Sequence, residues 1–235
     1  MGKLHLFRIS MFLLMAVLIT GCKKKDEKIP PSEIWDIDIQ GTPKFVRTNY
    51  IELEKIHRIS KFRSSVGHDY SDVFEDCSSM KHYFEPKIDV DWSTVKIYAP
   101  VTGTITMVLE ESTGTQIEIV SDELPAFRFV IFHVYLLSEL QVSDKVVEGG
   151  ELGTHFSSQT MSDIAVIVND PTKQGRMISF FDVINEAVFH EYANRGVNAR
   201  TDMIIPKSAR DEDPLYCNAE TFTTPGTIEN WKELN

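Results

Sequence analysis

Basic residues are in short supply: 24 Lys and Arg face 35 Asp and Glu, a formal net charge of −11 over 235 residues. Binding to nucleic acid needs a basic stripe that neutralises phosphates and releases counterions, so this balance excludes a nucleic-acid partner. Cysteine is rarer still. Of the three, Cys22, Cys77 and Cys217, no two lie close enough for a Cys-x-x-Cys redox or zinc motif. There is no internal repeat, and no low-complexity tract beyond one lysine-rich stretch. The longest apolar run, Ile9 to Thr20, falls short of the roughly 20 residues that a membrane-spanning helix needs. What is present is 42% hydrophobic residues, enough for the core of one domain with an extension.

The N-terminus reads as a targeting segment. Lys3 and Arg8 supply a positive start, the apolar run follows, and Ile19-Thr20-Gly21-Cys22 closes it. Residues 1–21 are therefore expected to be a signal peptide. The last four resemble the bacterial lipobox, which implies that Cys22 becomes the lipidated first residue of a mature lipoprotein, since acyl chains anchor without a spanning helix. Lys23-Lys24-Lys25-Asp26-Glu27-Lys28 and Pro30-Pro31 read as a solvated tether. Residues 22–50 are expected to be this tether and an irregular lead-in. The expected location is the bacterial cell envelope, held by lipid at a membrane, the outer membrane or cell surface ahead of the inner. In such an oxidising compartment Cys77 and Cys217 are expected to pair as a disulfide.

From Val95 onward short alternating runs predict strands. Val95–Tyr98 is one, and Thr104–Leu109 with Thr115–Val120 makes a hairpin around Ser112-Thr113-Gly114. Ala126–Tyr135, rich in aromatic and β-branched residues, follows. Val142–Gly153 predicts two short strands around a glycine turn, and Asp163–Asn169 the last strand. The period then changes. Phe180, Phe181, Ile184, Ala187, Val188 and Tyr192 recur at three- and four-residue spacing, which predicts one amphipathic helix over Ser179–Asn194. A shorter helix is expected near Ser208–Asp213.

Chemistry-bearing residues fall in a definite order: His68 and Asp72 four apart, His133 in the aromatic strand, His155, then Asp163-Ile164-Ala165. Ala99-Pro100-Val101-Thr102-Gly103-Thr104-Ile105 resembles the entry strand of the LytM/lysostaphin-type peptidoglycan metallopeptidases. Ile131-Phe132-His133-Val134 resembles their strand bearing a catalytic His, and Val142–Gly153 their glycine turn, with Ser143 replacing its first Gly. The resemblance implies a mainly β fold, a duplicated hybrid-barrel (barrel-sandwich) antiparallel core over residues 51–175. Residues 73–96 would be an insertion beside the groove, and residues 176–235 a helical C-terminal extension.

In that family zinc is held by His, Asp and the second His of a His-x-His pair, and acidifies a water for attack on a peptide carbonyl. The resemblance makes His68 and Asp72 metal ligands and His133 a catalytic imidazole. Asp163 stands where the first His of the pair belongs, and Ala165 where the third ligand belongs. A zinc site is thus incomplete unless Asp163 or His155 substitutes. Two plainer readings stand beside this one: His68 and Asp72 as turn residues, and His133 as a core histidine sharing a face with Phe127, Phe129 and Ile131. His82 reads as packing, and Glu186 with His190 as a solvated helix face. The expected function is a degenerate domain that binds peptidoglycan or a cell-wall hydrolase. The alternatives are a zinc endopeptidase with a rearranged third ligand, and a carrier or adaptor module of a related barrel.

Overall fold

In a computed structural model, which describes residues 33–235, antiparallel strand pairing organises nearly everything. The segment read as a signal peptide, Cys22 and the lysine-rich stretch lie outside the described residues. The strands are β1 (Ile56–Ser60), β2 (His82–Pro86), β3 (Lys96–Tyr98), β4 (Gly103–Glu111), β5 (Gly114–Ser121), β6 (Phe127–Leu136) and β7 (Lys145–Val146). Then come β8 (Glu151–His155), β9 (Ser162–Asn169), β10 (Gln174–Ile178), β11 (Tyr216–Asn218), β12 (Thr221–Thr224) and β13 (Trp231–Glu233). All but β11 and β12 join one sheet in the order β13-β1-β2-β9-β6-β5-β4-β7, with β10 beside β9 and β8 bridging β3 to β6. β11 and β12 form a separate hairpin. The mainly antiparallel architecture and the β4–β5 hairpin are as the alternation and turn residues predict.

Side-chain parity divides the sheet into two faces, because successive strand residues point oppositely. Phe127, Phe129 and Ile131 of β6 join Ile164, Val166 and Val168 of β9 in the main core. Each fully buried aromatic or branched side chain there contributes about 1.5–3 kcal/mol of gross stabilisation. The other parity, Val130, Phe132 and Ala165, meets Phe62, Met80 and Met177 in a second, smaller apolar cluster. Phe45, Val46 and Tyr50 of the lead-in are buried in the main core as well.

The structure departs from the sequence pattern in four places. Asp163–Asn169 becomes β9 but is not the last strand: β10 follows at once, and β13 returns to pair with β1. The residues of β13 are too few and too polar for alternation to reveal them. The two runs around the glycine turn form β7 and β8, which pair not with each other but with β4 and with β3 and β6. Within the residues read as an insertion, β2 enters the sheet between β1 and β9.

Finally, the helix predicted over Ser179–Asn194 is two, α2 (Phe180–Val183) and α3 (Glu186–Ala193), after a single turn α1 (Ile37–Gln40) near the start. Between them the backbone is claimed by Val46, whose N–H donates to Val183 O (3.0 Å) and whose carbonyl accepts from Asn185 N (2.8 Å). Those groups are lost to a continuous helix, and Asn185 restarts it as N-cap by accepting from Val188 N. The shorter C-terminal helix forms as expected, as α4 (Lys207–Glu212).

Cys77 and Cys217 are bonded, with Cα atoms 5.7 Å apart across a sequence separation of 140. The bridge ties the chain before β2 to the β11–β12 hairpin. In the chain-entropy account a loop of this length contributes about 5 kcal/mol.

Candidate functional site

The site lies on the second face of the sheet, where β2, β6 and β9 run side by side. In register, Asp163 of β9 is flanked by Phe132 of β6 and Tyr83 of β2. A bulge places His133 beside it. Ile131 pairs with Ile117 and Val134 with Thr115, so Phe132 and His133 together face the single residue Gln116. His133 takes φ = 58°, a left-handed conformation that few residues other than glycine adopt. The alternation that would have put it on the face of Phe127, Phe129 and Ile131 is thereby broken. Its Nδ1–H donates to the Thr113 carbonyl (2.9 Å), and its Nε2 points to Asp163 Oδ1 at 3.5 Å.

Asp163 is completely buried, and so is Lys81, at 1% exposure. The Lys81 ammonium forms a short ion pair with Asp163 Oδ2. It also lies 3.3 Å from His68 Nε2. Around it stand three aromatic faces, Phe132 at 4.0 Å, Tyr70 at 4.8 Å and Tyr83 at 4.9 Å from ring centre to Nζ. A buried charge survives only when paired and hydrogen-bonded, and this one is both, with cation–π contacts added. Burial, reinforced by the Asp163 charge, pushes the Tyr70 phenol up to about 12 and Tyr83 higher still, so both rings stay neutral.

His68 is carried on a loop that only glycine allows to lie so close. Gly67 has φ = +73°, and a Cβ there would come within 2.1 Å of the Tyr83 hydroxyl oxygen. His68 Nδ1 donates to the Asp69 carbonyl at 2.9 Å. That fixes the tautomer and leaves the Nε2 lone pair facing Lys81, the disposition a metal-ligating histidine has when a carbonyl holds its other N–H.

The remaining sequence candidates are committed elsewhere. Asp72 accepts from Phe74 N with one oxygen and from Met177 N with the other, each at 2.9 Å. His155 is buried; its Nε2 donates to the Thr160 carbonyl at 2.7 Å, while Nδ1 has no partner among the described residues. Burial lowers its pKa, and the ring leans on Trp92 at 5.8 Å. Ala165 lies in the second apolar cluster with Phe62, Met80 and Met177. Glu186 pairs with Arg200 rather than with His190. The structure thus gathers His68, His133 and Asp163 and leaves Asp72 in a backbone-anchoring role. Among the described residues no group of three or more His, Cys, Asp or Glu is arranged to hold a metal ion.

Sequence reasoning missed Lys81. The available signal was its parity: in Met80-Lys81-His82-Tyr83-Phe84 a lysine alternates with Tyr83 inside an otherwise apolar strand entry. Above this cluster opens a groove of about 440 Å³, whose walls include His68, His133, Tyr83, Glu85, Trp92 and Met161.

No family model matches the chain, and no curated protein matches its sequence. Solved structures similar to it include LytM-type peptidases and their relatives. One is the SpoIIQ–SpoIIIAH pore-forming complex (14% identity, TM-score 0.42, 62% of this chain and 94% of that one). Another is the catalytic domain of lysostaphin from Staphylococcus simulans (18%, 0.37, 50% and 84%). A third is the deep-sea M23 metalloprotease pseudoalterin (17%, 0.36, 57% and 75%).

Proposed function

We propose that this protein is an envelope lipoprotein, anchored through Cys22, whose LytM-type peptidase-like domain binds in its groove without cutting. The observation that carries this reading is the fate of the donor set. Catalytic zinc needs three protein ligands and an open position for water. Asp72 spends both oxygens on backbone amides, Ala165 offers a methyl within an apolar cluster, and the Asp163 carboxylate faces Lys81 and His133. These residues do not fit zinc. The groove itself is open, with Trp92 offering flat apolar surface and His68, Glu85 and His133 offering polar groups. Such a surface suits sugar rings or peptide, which supports peptidoglycan, or a cell-wall hydrolase, as what it holds.

Purified mature protein tests this directly. Expected are less than stoichiometric metal, no release of fragments from cross-linked sacculi, and co-sedimentation with sacculi that weakens in Trp92→Ala. One tightly bound zinc together with sacculus cleavage lost in His155→Ala would establish an enzyme with a relocated ligand. Co-sedimentation unchanged by Trp92→Ala, or absent, would remove the groove as the binding site. For the anchor, Cys22→Ala should leave the chain unprocessed or displaced from membranes, and normal membrane fractionation would refute lipidation.

A further inference from the structure

The Lys81 ammonium is too deeply buried to touch anything in the groove, so binding there does not explain it. We infer that Lys81 is a built-in cation that does for this domain the structural work of a metal ion. It draws three separate stretches of chain onto one positive centre: the Gly67–Asp69 loop through His68, the entry to β2 through Lys81 itself, and β9 through Asp163. The Asp163 carboxylate is its ion-pair partner, one N–H faces the His68 Nε2 lone pair, and the remainder of the charge lies against the faces of Phe132, Tyr70 and Tyr83.

The ammonium faces one carboxylate, and the groups around the pair are the imidazoles of His68 and His133 and the rings of Phe132, Tyr70 and Tyr83. A divalent ion added here would meet a carboxylate already neutralised and a second cation at contact distance, where like charges in a low-dielectric site repel strongly. The domain is therefore independent of metal and refractory to it, and one side chain is the lock. Removing that side chain leaves His68 Nε2 and Asp163 Oδ2 facing the vacated volume, with His133 Nε2 3.5 Å from the other carboxylate oxygen. It follows that restoring histidines at Asp163 and Ala165 would not by itself restore a metal site, because the ammonium would remain and would lose its counter-charge.

The test is thermal unfolding of the mature chain, with chelator and with added zinc. Wild type is expected to show no shift of Tm in either condition. Lys81→Met should lower Tm by about 10 °C, the effect of leaving a buried carboxylate unpaired, and Lys81→Met with Asp163→Leu should recover most of it. Lys81→Ala should gain about 5 °C or more at saturating zinc and should bind Co²⁺ with the visible absorption of a low-coordinate site. If Lys81→Ala is insoluble without metal, refolding decides: recovery only with zinc supports the inference, and no recovery with zinc overturns it. Wild type that loses stability to chelator, or Lys81→Met as stable as wild type, also overturns it. Sacculus co-sedimentation of the same wild-type preparation reads the binding proposal separately, so either can fail alone.

Discussion

Lys81 and His82 are neighbours in sequence and equally inaccessible, yet the fold accommodates them by opposite means. Lys81 shares the parity of Tyr83 and faces the site; His82 shares the parity of Phe84 and faces the main core. There His82 packs against Phe181, donates from Nδ1 to the Ser60 carbonyl (2.7 Å), and accepts at Nε2 from the Ser179 hydroxyl (2.8 Å). Burial pushes its pKa down to about 4, so it is neutral and satisfied by two local bonds. Lys81 instead draws on a carboxylate from another strand, an imidazole from a loop and three rings. A neutral polar group can be absorbed by its immediate surroundings. A charged one conscripts distant segments, which is why the lysine, and not the histidine, sits at the centre of the candidate site.

The contrast can be broken most forcefully at the charge. Asp163→Asn leaves the ammonium without a counter-charge and should cost about 3–5 kcal/mol, measured by urea unfolding near neutral pH. A loss below about 1 kcal/mol would put this pair on a level with exposed ones and dissolve the distinction.

The histidine should instead reveal itself through pH. Its folded pKa, about 4, lies below the ordinary 6.5. Above pH 6.5 neither state is protonated and the group adds nothing. Between 6.5 and 4 the unfolded chain takes up a proton that the folded chain refuses, so stability falls as pH falls, by on the order of 3 kcal/mol across the window. His82→Gln should flatten that slope; an unchanged slope would assign it to other groups.

Ser179→Ala sharpens the comparison at smaller amplitude. It removes the partner of His82 Nε2 and the N-cap of α2, which accepts from Phe181 N, and should cost about 1–2 kcal/mol at pH 8. The smallest effect is expected for Lys207→Ala. Its pair with Asp211 on α4 is half exposed on both sides, so the change should stay within about 0.5 kcal/mol in the same assay.

How far the sequence revealed these features follows from where each signal resides. The strands β4 to β6 and β9 were legible because alternation and turn residues are local. Helix α3 was legible by period, but its break was not, because the competitor for its backbone is Val46, far away in sequence. The register that brings His133 toward Asp163 was half legible: the strands could be placed, but a bulge cannot be read from composition. His68 was singled out through its motif, and the structure sets it beside Lys81. Asp72 belonged to the same motif, yet one of its oxygens was captured by Phe74 N and the other by Met177 N, in a strand that no pattern announced. Lys81 was invisible because lysine is ordinarily a surface residue, and only the convergence of three segments makes its burial affordable.

The pairing of β1 with β13 has a further consequence, for the nascent chain. β1 lies near the start of the domain, while its outer partner is Trp231–Glu233, and Leu234 N–H closes onto the His57 carbonyl at 2.8 Å. Until Trp231–Glu233 emerge, one side of β1 offers unpaired amides and carbonyls to any extended segment it meets. Cys77 likewise waits for Cys217. Sheet edge and disulfide are both completed by segments far along the chain from β1 and Cys77, so neither closes until the chain between them has been made, and β1 carries an open edge in the interval.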